Sequence, residues 1–164
     1  MRIVTTYQDK KVYFLTGEVS QVSSEDFELP EPHFICTFFF HDTNWNQNDL
    51  VRLLHRLIKN GCVYFLFHGH GCKEAHDLAD ASRDELCSSE ITDENVIMTT
   101  WHEKEESLED VIFDTFIASH PTEDYLESCT SYIIFSFGSS EENAHVEHLL
   151  GNLEATIKQV SDEG

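Results

Sequence analysis

What this 164-residue chain lacks narrows it before any motif is read. Lys and Arg are scarce, 10 against 31 Asp and Glu, for a formal charge of -21. The shortage is concentrated: residues 1–62 hold 8 acids and 6 basic side chains, residues 63–164 hold 23 and 4. Such a surface repels nucleic acid and anionic lipid. Where it does more than solubilise the fold, it suits a basic protein partner or bound cations. No apolar run approaches the roughly 20 residues of a membrane span. "MRIVTTYQDKKVYFL" lacks the charged, apolar, small-residue order of a secretory leader. The five cysteines (Cys36, Cys62, Cys72, Cys87 and Cys129) show no C-x-x-C pair and no disulfide-like spacing. Reduced thiols and a cytoplasmic location are therefore expected. Walker and dinucleotide fingerprints are missing as well, and so are internal repeats and low-complexity segments.

What is present is a core. The chain is 40% hydrophobic with 12 Phe, enough to fold as one domain over residues 1–164 despite the charge. "RIVTTY" pairs with "KKVYFLTGEV" through the "QDKK" turn, and residues 20–32, rich in Ser, acids and Pro, read as a loop. "FICTFFF" and "CVYFLF" are continuously apolar, as strands buried on both faces must be. "NVIMTTW" reads as a further inner strand and "YIIFSF" as the last. Between them, Leu50, Leu53, Leu54, Leu57 and Ile58 form one helical stripe. Thr43 or Asn44 is expected to cap that helix, and Asn60-Gly61 to close it. Cys72 to about Cys87 has helical spacing, with Cys72, Ala75, Ala79, Ser82 and Leu86 on one stripe. Ser107 with Asp110, and Ser139 with Glu142, are helix-start boxes. Val146 to Val160 reads as one continuous amphipathic helix. Alternating strands and helices predict an α/β fold, three-layer αβα and Rossmann-like. Its sheet is expected to be mostly parallel, with about five strands and an antiparallel N-terminal edge.

Such sheets bind ligands beyond the carboxyl ends of their strands. That rule gathers His41, Asp42, His68, His70, Cys72, Thr100, Trp101, His102 and Glu103 into one neighbourhood, along with Gly138, Ser139 and Ser140. Metal chemistry has a candidate set in Cys72, His76 and Asp80, at i, i+4 and i+8 on one helix face, with His68 and His70 just before it. Against it, Cys72 belongs equally to the apolar stripe, and a helix N-terminus disfavours a cation. Thiol catalysis would place Cys72 at that N-terminus with His68 or His70 as base. The "HGHG" and "FGSSEEN" turns could hold an anion, but Glu141 and Glu142 oppose one. Gly71-Cys72 stand where metallo-β-lactamase-like hydrolases continue with Asp and His ligands. "MTTWHE" has no cysteine or serine where caspase-like proteases carry their nucleophile. The first of those families is rejected, and the missing nucleophile counts against the second. His55, His145 and His148 read as ordinary surface residues.

"NGCVYFLFHGHGCKEAHDLADASRDE" followed by "VIMTTWHEKEESLEDVIFD" resembles an uncharacterised bacterial family, a domain of unknown function, over residues 44–136. The marks of the resemblance are Gly61-Cys62 opening a strand, Cys72 with Asp77 and Asp80 on the next helix, and "MTTWHE". It implies a compact domain and no particular activity. It shifts interest from His68 and His70 toward Cys72, Asp77, Asp80, Thr100, Trp101, His102 and Glu103. The expectation is a small acidic binding or regulatory module without a readable catalytic set, using the surface around Trp101 or the acidic face. No cofactor is expected. The alternative is a metal- or thiol-dependent hydrolase centred on Cys72 and His76, with Asp77 or Asp80 assisting.

Overall fold

The structure, a computed structural model, describes residues 1–87 and 91–164. Arg2–Tyr7 (β1) and Lys10–Thr16 (β2) form an antiparallel hairpin whose turn residues, Gln8 and Asp9, both have positive φ. Val19–Ser24 (α1), His33–Phe40 (β3), Gln47–Lys59 (α2), Cys62–Gly69 (β4), Cys72–Leu86 (α3) and Met98–His102 (β5) follow in the alternation the apolar runs predict. Leu108–Phe113 (α4) runs on into a π-helical turn, Asp114–Ala118. Cys129–Phe137 (β6) completes the sheet, and Ser140–Gly151 (α5) and Leu153–Glu163 (α6) end the chain.

The six strands lie in the order β1-β2-β6-β3-β4-β5, parallel except for the first hairpin. Side chains alternate across each strand, so the buried runs feed two cores. Beneath α1, α2 and α3, Phe38 stacks on Phe135 at 4.6 Å and on Phe67 at 5.1 Å, with Phe40, Phe65 and Phe137 around them. On the other face, Ile35, Phe39, Leu66, Tyr132 and Ile134 pack with Val111, Val146 and Leu150 from α4 and α5.

Four details differ from the sequence expectation. β5 is the outer strand of the sheet, not an inner one, because among the described residues it pairs with β4 alone. The start of the supposed 20–32 loop belongs to α1, a short helix in which Val19 and Val22, one turn apart, are buried. Asn46, not Thr43 or Asn44, caps α2, accepting the Asp49 N–H at 3.0 Å. The C-terminal helix breaks at Gly151-Asn152, where the Asn152 side chain donates back to the His148 carbonyl at 2.9 Å. No helix among the described residues is long and apolar enough to cross a membrane.

Candidate functional site

β3 and β6 are neighbours, but the chain leaves β3 toward α2 on one face and leaves β6 toward α5 on the other. This divergence is the topological switch point at which open α/β sheets form a crevice. His41, the first residue after β3, stands in it; its N–H donates to the Phe137 carbonyl at 3.0 Å. Gly138 makes room for the ring, since a Cβ there would lie 2.6 Å from His41 Cβ. Next to it, β4 ends at Gly69 with φ +101°, and a Cβ there would lie 2.1 Å from the Phe40 carbonyl oxygen. Only glycine lets the two strand ends come that close.

Across this edge the strands are in register as Ser136, Phe39, His68 and His102. The polar members of that row face α4 and α5 and are tied down. His41 Nε2 lies 2.8 Å from Ser136 Oγ, and Ser136 Oγ donates to Asn143 Oδ1 at 2.8 Å. Asn143 also donates to the Gly138 carbonyl at 3.2 Å, which fixes which way its amide points. The Ser136 proton is thus committed to Asn143, so His41 Nε2 carries its own proton and donates to Ser136. Ser136, His41 and Glu142 mimic a hydrolytic triad in order only. The serine is fully buried, its proton points away from the imidazole, and Glu142 Oε2 is 3.8 Å from His41 Nδ1.

His68 Nε2 meets the Glu106 carbonyl oxygen at 2.8 Å, so it too must be the protonated nitrogen. Burial pushes both imidazoles below the usual histidine range, partly offset by Glu142 at His41 and by the Glu106 carbonyl at His68. Both rings are therefore neutral near pH 7. Glu142 remains ionised: the Ser139 backbone N–H holds its carboxyl below the usual range. At the end of the row, His102 sits between Glu106 Oε1 at 3.1 Å and Asp114 Oδ2 at 3.4 Å. The π-helical turn begins at Asp114, a distortion that recurs at functional sites. Burial raises the Asp114 carboxyl, against the lowering by His102. Thr100, on the same flank of β5, keeps a buried hydroxyl without a partner among the described residues.

Over this row opens a crevice of about 450 Å³. His41, His68, His70 and His145 line it, with Glu106, Glu109 and Glu142 against Lys104. His70 also borders a neighbouring groove of about 330 Å³ containing Trp45, whose Nε1–H donates to the His70 carbonyl at 3.3 Å. Asp42 does not line the crevice; it accepts the Asn44 N–H at 2.8 Å and shapes the turn.

The sheet separates the rest of the sequence-derived set from this crevice. Cys72, His76, Asp77, Asp80, Trp101 and Glu103 lie on the α3 flank of β5. Thr99 Oγ1 donates to Asp80 Oδ1 at 2.6 Å and contacts His76 Nε2 at 3.0 Å, while His76 Nδ1 lies 3.1 Å from Asp77. Both ring nitrogens are occupied, and the ring packs 4.6 Å from that of Trp101. Cys72 is 2% exposed and faces Glu103 Oε2 at 3.9 Å. Burial, with Glu103 adding to it, raises its thiol above the ordinary range. Among the described residues no group of three or more His, Cys, Asp or Glu could hold a metal ion.

Sequence reasoning missed Trp45, Lys104, Glu106, Glu109 and His145. Only His145 carried a usable signal: it stands one helical turn after Glu142, so once that box is placed at the end of a strand, His145 shares its face. No curated protein and no solved structure matches the chain. A family model, described as a domain of unknown function (DUF7684), matches residues 18–152, from the start of α1 through α5 and so over the whole crevice. The chain belongs to that family.

Proposed function

We propose that this protein is a ligand-binding module whose site is the histidine-lined crevice at the β3–β6 switch point, and that it binds without performing chemistry. One observation carries the proposal. His41, His68, His70 and His145 arrive from three separate segments onto one crevice of about 450 Å³, a size in the range that small-molecule sites occupy. The proton assignments support binding without chemistry. Ser136 is sealed and donates its O–H to Asn143 Oδ1, and Ser107 caps α4, accepting the Asp110 N–H at 3.1 Å. A hydrolase centred on Cys72 and His76 has weaker support, because the thiol is buried with a raised pKa and both His76 nitrogens are engaged. A cytoplasmic setting is part of the same proposal, supported by five free thiols.

The test is a ligand-observed NMR screen of a polar fragment set against the wild type and His68→Phe. Fragments should bind the wild type and lose saturation transfer with the variant. If every binding fragment is indifferent to His68→Phe, the crevice is not the site.

A further inference from the structure

Taking the crevice as the ligand site, we propose that it selects an organic cation rich in N–H donors, of the guanidinium or ammonium class. The hydrogen-bonding inventory of the walls points that way. His41 and His68 spend their N–H on Ser136 and on the Glu106 carbonyl, so what each has left is the Nδ1 lone pair, an acceptor. His68 is only 6% exposed, its ring lines the crevice, and its Nδ1 has no hydrogen-bond partner among the described residues. An imidazole fixed by its other nitrogen and open to the crevice is an acceptor free to take a donor from a ligand.

The charges agree. Glu142 from α5 and Glu106 and Glu109 from the α4 approach face the crevice, against Lys104 as the one lysine or arginine lining it. Among the described residues Glu142 Oε2 has no partner closer than His41 at 3.8 Å. An anion would meet these carboxylates and two imidazole lone pairs, inside a molecule of charge -21. A guanidinium, by contrast, brings a planar fork of donors that matches one carboxylate and has N–H groups to spare for an imidazole acceptor. This group has two sources, a free small amine or the arginine side chain of a basic protein partner. The crevice itself reads only the group.

The full chain, 13C-labelled in its histidine rings, is titrated at pH 7.5 with agmatine, N-acetyl-argininamide, inorganic phosphate and ribose. Agmatine should move the His41, His68 and His145 ring signals in a saturable way, and more weakly as salt is raised. Glu142→Gln keeps a side chain able to complete the capping box and should weaken agmatine by about tenfold. Glu109→Gln, on the crevice rim, should weaken it in the same direction without touching that box. Tighter binding of N-acetyl-argininamide than of agmatine would identify a protein arginine as the source; equal or weaker binding would identify a free amine. Phosphate or ribose moving these signals while agmatine does not would overturn the cation class and leave the crevice standing as the site. Shifts confined to His76, beside Trp101, would overturn the proposal. If no probe moves any crevice signal, the site itself falls.

Discussion

Cys72 heads α3, a position at which free N–H groups ordinarily favour a thiolate. The structure sets two opposing effects against that preference, burial to 2% exposure and the Glu103 carboxylate 3.9 Å away. Their balance raises the thiol. Iodoacetamide at pH 7.5 should therefore modify Cys87, the one cysteine not buried, well before Cys72. Peptide mapping by mass spectrometry along the time course checks this, and unfolding in urea should abolish the difference. Rapid native alkylation at Cys72 would restore the thiol-hydrolase alternative. The same reasoning at residue scale separates Ser136 from a nucleophile. Residue types and order alone suggest Ser-His-Glu; the burial of Ser136 and the direction of its hydrogen bond, toward Asn143 and away from His41, argue against it.

At the scale of elements, the capping box of α5 ties stability to the site. Ser139 Oγ accepts the Glu142 N–H at 3.2 Å, and Glu142 Oε1 accepts the Ser139 N–H at 3.0 Å, so Glu142 is presented to the crevice by the cap itself. Ser139→Ala should cost about 1 kcal/mol in urea denaturation, with the fold retained; a loss near zero would mean the box is not formed. That box was legible in "SSEEN", as were β3 and β4, whose unbroken apolar runs require cover on both faces. The break at Gly151-Asn152 was not legible, because the apolar stripe from Val146 to Val160 continues through it. α1 was hidden by polar composition, although two buried valines decide it. Strand order has no signature in one sequence, so β5 passed for an inner strand. The strand-end rule collected His41, His68 and His70 but neither the α4 and α5 side chains opposite them nor the face on which each strand-end residue lies. Assigning faces needs the two-residue alternation, which puts Thr100 and His102 on one flank of β5 and Thr99 and Trp101 on the other.

For the molecule as a whole, neutral buried histidines and a large negative charge predict opposite responses to acid, and salt separates them. His33, His41 and His68 all have folded pKa values below the unfolded 6.5, each chiefly because burial disfavours the imidazolium. As pH falls below about 6.5 the unfolded chain takes up protons at these rings before the folded one does. Their contribution is therefore fully present above that pH and is lost progressively toward the folded values. Of the two shifted carboxyls, Asp114, raised by burial, acts with the opposite sign, and Glu142, held down by the Ser139 N–H, acts with the same sign but at lower pH, beneath the histidine window. Acidification also reduces the self-repulsion of a chain carrying -21, which favours the folded state. High salt screens that repulsion between exposed charges but leaves the burial cost in place. In about 0.5 M NaCl the melting temperature should fall between pH 7 and 5.5, and His68→Phe should flatten the fall. At low salt the fall should be shallower, because relief of repulsion opposes it. A melting temperature that held steady across this window in high salt would mean that the folded protein protonates these rings as readily as the unfolded chain. The burial of His41 and His68 would then impose no cost on their charged forms, and their Nδ1 lone pairs would begin to be lost already near pH 6.5.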